Sequence, residues 1–228
     1  MTTLLCVDTA TLHESVALIS DGVVRAERTV HHTRGHGPGV LDDMQGVLDA
    51  AGLSLDDLDG LICGLGPGSF TGLRIALASL KGLALAKNLP LYGASTTALL
   101  RASITAPRVF AVMDARRGEV YLQGVGVDQP VVCAPKTVAS LLPEGPPPVL
   151  VGAGALLYAE LFEASIPGCV IPKQAALHLP RAALLPSLVN LQQPAPALAT
   201  LEPMYVRKSD AEINYPNGFP DARGRVHR

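Results

Sequence analysis

Gly64-Leu65-Gly66-Pro67-Gly68-Ser69-Phe70-Thr71-Gly72-Leu73-Arg74 is the stretch on which the fold of this chain turns. Leu61 to Leu65 reads as a short buried strand, and the apolar run after the glycines reads as a helix to about Asn88. Backbone N–H groups of a glycine-rich turn between strand and helix can cradle an anion. Three sharper labels fail. A P-loop ends in Gly-Lys-Ser/Thr, whereas Leu73 follows the last glycine here. A dinucleotide fingerprint wants an acidic residue after the next strand, where Ala94-Ser95-Thr96-Thr97 stands. A nucleophile elbow wants glycines two residues either side of its serine, and Ser69 has Pro67 and Thr71. A tight turn that packs helix on strand is the simpler reading.

Outward from this stretch, the first half has a regular grammar. Leu4 to Asp8 is an apolar strand, and Ser15 to Ile19 and Val23 to Val30 flank Asp21-Gly22, a two-residue hairpin signal. Pro38 to Ala51 carries Val40, Leu41, Met44, Val47, Leu48 and Ala51 at helical spacing and stops at Gly52. Leu91 to Ala94 is another strand, with Ser95 as N-cap of the next helix. The second half restarts the pattern. Val109 to Asp114 is again an apolar strand ending in Asp, and Arg116-Arg117-Gly118 turns into a strand from Glu119 to Val127. This weak internal repeat implies two related lobes of mixed strands and helices. Only three of 19 prolines precede residue 100, so the second lobe is expected to be broken into short elements before a helix from Pro180 to Gln192. The expected divisions are residues 1–104, residues 105–208 and a polar tail, 209–228.

The 228 residues are 48% hydrophobic with a formal net charge of −2, enough apolar material for a core and no global attraction for nucleic acid or anionic membrane. Aromatics make up 4% and Trp is absent, which argues against a base-stacking platform. The most apolar window, Leu61 to Ala86, is broken by Pro67, Arg74 and Lys81 and does not read as a membrane span. Asp8 lies within the first apolar run, unlike a signal peptide. Cys6, Cys63, Cys133 and Cys169 form no Cys-x-x-Cys pair, so buried thiols in a cytoplasmic protein are expected.

Asp8 and Asp114 end strands, where a carboxylate caps a turn or holds a metal–phosphate; capping is the simpler role. His32 and His36 have i,i+4 spacing, but Gly35, Gly37, Pro38 and Gly39 make a helix there improbable, and a solvated loop is expected. The helix from Thr71 to Lys87 is apolar nearly all round, with Ala78, Gly82 and Ala86 as a row of small residues. Such a helix is either sandwiched inside its own domain or covered by another subunit. Arg207, Lys208, Arg223, Arg225 and Arg228 make the tail basic, in the manner of a solvated end.

Four segments occur in order: Val7-Asp8-Thr9-Ala10-Thr11, Gly66 to Arg74, Asp114-Ala115-Arg116-Arg117-Gly118-Glu119-Val120-Tyr121, and Glu202-Pro203-Met204-Tyr205-Val206-Arg207. Together they resemble the TsaB (YeaZ) family, the dimerization subunit of the bacterial tRNA threonylcarbamoyladenosine synthesis complex. The resemblance runs to about residue 208. It implies an α/β, actin/Hsp70/sugar-kinase-like fold of two lobes, the second reduced. It also implies a non-catalytic subunit that supports threonylcarbamoyl transfer to N6 of the adenosine beside the anticodon. The expected partners are a TsaD-type catalytic paralogue and a small TsaE-type ATPase, with a homodimer when alone and tRNA met only through the complex. ATP and a metal ion belong to those partners, and no cofactor to this chain. The paralogue holds its metal through His-x-x-x-His, where this chain reads Gly93-Ala94-Ser95-Thr96-Thr97-Ala98-Leu99-Leu100.

The candidate docking residues are Leu41, Met44, Leu48, Ile75, Ser79, Leu80, Gly82 and Leu83, taken as a group. Asp8, Thr9, Gly66, Gly68, Ser69, Thr71, Gly72, Arg74, Asp114 and Arg116 carry the family motifs and are the candidate anion contacts. A stand-alone ATPase or sugar kinase of the same fold is the first alternative, and a glycoprotease-like metallopeptidase the second.

Overall fold

In the computed structural model, which describes residues 2–33 and 39–207, two mixed sheets are built on one plan. The first comprises β1 (Thr3–Asp8), β2 (His13–Ser20), β3 (Val23–His31), β4 (Gly60–Gly64) and β5 (Leu91–Ala94), in the order β3-β2-β1-β4-β5. The hairpin strands are antiparallel, and β4 and β5 run parallel to β1. The second contains β6 (Val109–Arg116), β7 (Glu119–Gly124), β8 (Val127–Cys133) and β9 (Val149–Val151), in the order β8-β7-β6-β9. Its β6 pairs antiparallel with β7 and parallel with β9, so it repeats the first sheet without the last strand. The internal repeat is therefore real.

Alternation along the central strands builds two cores on opposite faces of the first sheet. Leu5, Val7, Val16, Leu18, Leu61 and Cys63 face α1 (Val40–Ala51) and α2 (Phe70–Lys87). Leu4, Cys6, Ala17, Ile19 and Ile62 face Leu99 of α3 (Thr96–Ala102) and the 3₁₀ turn Ala182–Leu188. Burial pushes the Cys6 and Cys63 thiols far above the usual range, leaving them neutral packing groups. Asp21 and Gly22 both take positive φ (50° and 76°), the turn that the right-handed twist of a hairpin favours.

Several expectations need correction. The segment expected as a helix from Pro180 to Gln192 is the 3₁₀ turn Ala182–Leu188, because Pro186 inside it has no N–H to donate. That turn packs on the first sheet, and Leu198 and Leu201 join the α1–α2 core, so the span 105–208 does not belong wholly to the second lobe. The strand expected from Glu119 to Val127 divides at Gly124, and β8 begins at Val127. The second lobe keeps only short helices, α4 (Val138–Leu141), α5 (Ala153–Leu157) and α6 (Ala159–Ser165). Helix α2 buries one face only, through Leu73, Ala76, Leu77, Leu80 and Ala84.

An ionic cluster fastens α1 to the hairpin. Arg28 Nε of β3 lies 2.6 Å from Asp43 of α1, and His32 Nε2 lies 3.0 Å from Glu14 of β2, whose side chain is 1% exposed. Burial first, and then the Glu14 charge, push Asp43 above its ordinary 3.8, against the pull of Arg28 and His32. The folded state therefore holds this proton more tightly than the unfolded chain. Stability is expected to fall as pH rises above 3.8 through the folded value. Urea unfolding between about pH 4 and 7 checks this, with Asp43→Asn flattening that part of the profile whatever its offset.

Candidate functional site

Asp8 closes β1 with no exposure. Its Oδ1 accepts from the Ala10 amide at 3.0 Å and its Oδ2 from the Thr96 hydroxyl at 2.6 Å. The Thr96 Oγ1 also accepts from the Gly66 amide (3.2 Å), while the Thr96 amide donates to the Gly66 carbonyl (2.8 Å). One carboxylate thus joins the end of β1, the glycine-rich turn and the first turn of α3. A side chain at Gly64 would overlap the Asp8 carboxylate, which explains that glycine.

The glycine-rich turn is closed against its neighbours. The Ser69 amide donates to the Ala10 carbonyl at 2.7 Å, and a Cβ on Gly68 would overlap that same oxygen. Ser69 caps α2 by accepting from the Gly72 amide at 3.1 Å. The amides of Gly66, Ser69 and Gly72 are all engaged inside the protein, and Thr9 is buried beside Asp8. Asp114, the counterpart of Asp8, caps its own turn by accepting from the Arg116 amide at 2.8 Å; Arg116 Nη1 is 3.7 Å from its other oxygen. Both strand-ending carboxylates therefore act as turn caps.

At the start of α3, Ser95 Oγ and Thr97 Oγ1 are 2.6 Å apart and Thr97 donates to Gln123 of β7. Hydroxyls and an amide occupy the first turn of α3, a donor set unsuited to a catalytic metal. Among the described residues no group of three or more His, Cys, Asp or Glu side chains could hold a metal ion. His31 stacks on His13 with ring centroids 4.5 Å apart, and burial and His31 hold His13 below its ordinary value. His36 and the tail 209–228 lie outside the described residues.

A cleft of about 710 Å³ opens between the sheets. The β1–β2 turn, the first turn of α2, the β6–β7 hairpin and the segment Met204–Arg207 line it. That last segment bridges the lobes. The Met204 amide donates to Leu65 O at 2.7 Å, and Arg207 Nη1 donates to Ala115 O at 2.7 Å. Between them, Arg74 Nε donates to the Tyr205 hydroxyl at 2.9 Å, and its guanidinium carbon lies 3.6 Å from the Phe70 ring centroid. Sequence reasoning missed this cluster and the Glu14–His32–Asp43–Arg28 group, since both assemble from segments far apart in the chain. Tyr205 lies within the segment Glu202 to Arg207, and its local sequence carries no sign of its partners.

Of the docking candidates, Met44, Leu48 and Leu80 are fully buried in the α1–α2 core and cannot meet a partner. Leu41 and Gly82 are exposed, and Ile75, Ser79 and Leu83 are half-buried. Ala78, Leu85 (74% exposed) and Ala86 extend that outer face of α2.

Two mixed sheets of one plan with an interlobe cleft define an actin/Hsp70-like two-lobed protein. Component A of the Acidaminococcus fermentans (R)-2-hydroxyglutaryl-CoA dehydratase shares the fold (TM-score 0.53, 11% identity, 81% of this chain and 96% of that one). A family model described as "TsaD: tRNA N6-adenosine threonylcarbamoyltransferase" matches residues 25–134. The Haemophilus influenzae protein named tRNA threonylcarbamoyladenosine biosynthesis protein TsaB is 31% identical over 90% of this chain and 93% of its own. Its Escherichia coli namesake is 43% identical over 122 residues, so the match spans about half the length of that relative (52% of each chain). A Pseudomonas aeruginosa structure described as similar to peptidase YeaZ superposes with a TM-score of 0.76 at 31% identity, covering 91% of this chain and 100% of that one. The chain belongs to the TsaB (YeaZ) family.

The Asp8 junction makes two substitutions informative. Thr96→Val removes a donor to a buried carboxylate and is expected to cost about 2 kcal/mol in denaturant unfolding. Gly68→Ala forces the turn off Ala10 and is expected to cost about 1–3 kcal/mol. Gly82→Ala, where a Cβ meets nothing within 4 Å, should be neutral or stabilising by up to about 1 kcal/mol.

Proposed function

We propose that this protein acts in tRNA N6-threonylcarbamoyladenosine biosynthesis as a non-catalytic subunit, and that the outer face of α2 docks on a TsaD-type catalytic paralogue. The names borne by its relatives support the pathway. The observation that carries the docking role is the exposed apolar face of α2, where Ala78, Gly82, Leu85 and Ala86 meet solvent on a helix with a fully packed inner side. Small residues there let another backbone approach closely, and burying Leu85 supplies apolar area. The same face serves a second copy of this chain when the paralogue is absent.

The state of the glycine-rich turn supports the non-catalytic part. A phosphate-transferring site of this fold needs free amides and an available carboxylate, whereas here Ser69 N–H, Gly66 N–H and Asp8 are tied to Ala10 and Thr96. A metallopeptidase needs ligands that the Ser95–Thr97–Gln123 group does not offer. ATP and the metal then belong to the partner subunits, including a TsaE-type ATPase.

Reconstitution tests the reading. Threonylcarbamoyl transfer to tRNA by the catalytic paralogue and the small ATPase is expected to require this chain, which alone should neither hydrolyse ATP nor cleave peptide. Transfer at full rate without it overturns the proposal. Gly82→Arg or Ser79→Arg should abolish association in size-exclusion chromatography while leaving the circular dichroism spectrum intact. An unchanged complex with an intact fold would show that α2 is not the docking face.

A further inference from the structure

Composition argues against nucleic-acid stacking, yet the fold gathers three of the nine Phe and Tyr residues, Phe70, Tyr121 and Tyr205, in the lining of one cleft. Among the described residues, Phe70 (39%) and Tyr205 (47%) are the exposed aromatic rings, and both stand at this cleft. Their centroids are 5.2 Å apart. Arg74, from one turn further along α2, holds the pair through its contact with the Phe70 face and its bond to the Tyr205 hydroxyl. Such bracing presents the rings in a fixed position and lowers the ordering cost of a ligand that stacks on them.

The opposite wall carries positive charge. Arg116 lines it from the β6–β7 hairpin with its side chain 61% exposed and only a loose 3.7 Å approach to Asp114. Arg117 follows at the hairpin tip, and Arg207 lies beside them with 21% of its side chain exposed and its Nη1 3.6 Å from Glu119. This basic edge contrasts with residues 1–65, which hold ten acids and three Lys or Arg. Exposed rings that line one cleft together with guanidinium groups suit an unpaired base with its phosphate.

The closed glycine-rich turn decides between a free nucleotide and a polynucleotide. A nucleoside triphosphate needs amides for its phosphates, and those of Gly66 and Ser69 are engaged while Asp8 is capped. A nucleotide within an RNA strand brings one phosphate charge per base and asks only for a stacking face and an arginine. We propose that this interlobe cleft is an RNA contact site, in which an unpaired tRNA nucleotide stacks at Tyr205 and Phe70 with its phosphate towards Arg116. The inference rests on the tRNA pathway proposed above and adds a direct contact by this chain.

The test is equilibrium binding of a fluorescently labelled, unmodified tRNA transcript to the full chain alone at low salt, followed by salt titration. Because no partner is present, failure of docking on the paralogue leaves this result untouched, and the reverse also holds. Tyr205→Ala is expected to weaken binding about tenfold, and Tyr205→Phe, which keeps the ring, to stay within about twofold of the parent. Arg116→Ala should weaken binding several-fold and lower the log–log salt slope by about one, whereas Lys136→Ala, on another surface, should change nothing. Thermal melts establish that each variant is folded. No binding by the parent, equal affinity for parent, Tyr205→Ala and Arg116→Ala, or an equal loss in Lys136→Ala overturns the proposal. So does saturable ATP binding that depends on Tyr205 without any RNA binding.

Discussion

The carboxylate of Asp8, with no exposure to solvent, joins three segments that are far apart in the sequence. Through Thr96 it holds the start of α3, through the Ala10 amide it shapes the β1–β2 turn, and through the Thr96–Gly66 pair of bonds it seats the glycine-rich turn. Burying such a group without partners is costly, so strand, turn and helix must arrive together. Gly64 and Gly68 are small because this junction leaves no room beside the carboxylate or the Ala10 carbonyl. A segment that resembles a phosphate cradle in composition is in this protein the keystone of a lobe.

The second sheet shows what happens when the same plan carries less covering structure. Its strand order and directions copy the first, and Asp114 closes β6 as Asp8 closes β1. Proline-rich connections leave α4, α5 and α6 only four to seven residues each. The chain compensates by returning: Ala182–Leu188 covers the far face of the first sheet, and Met204–Arg207 ties Leu65 to Ala115 across the cleft. The lobes are therefore held together by Met204–Arg207 as well as by the connection between the sheets.

Helix α2 connects this architecture to function. Its inner residues complete the core with α1, while its outer face keeps apolar and small residues where a solvated helix would carry charge. Its first turn supplies Phe70 to the cleft, and Arg74 one turn further on braces that ring. One helix thus serves the core, the proposed docking face and the cleft rim, at three places along and around its axis.

Strand identity, the two-residue hairpin turn, the helix after the glycines and the repeated plan were legible from the sequence, because periodicity and turn chemistry are local properties. The four motif segments likewise carried the family. Which side of each helix faces inward was not legible. Leu80 and Leu83 are alike in sequence, yet one is buried and the other half-exposed because only the position of the sheet distinguishes them. The 3₁₀ turn at Ala182–Leu188 escaped for a related reason: its apolar residues suit a helix, but Pro186 and the sheet beneath it select a tighter turn. The Glu14–Asp43 and Phe70–Arg74–Tyr205 clusters join residues 29 and 131 or more positions apart at their widest, and no local pattern encodes such meetings. Local chemistry determined the elements and the family; three-dimensional packing decided which carboxylates are capped, which apolar face is left open and where the aromatic rings gather.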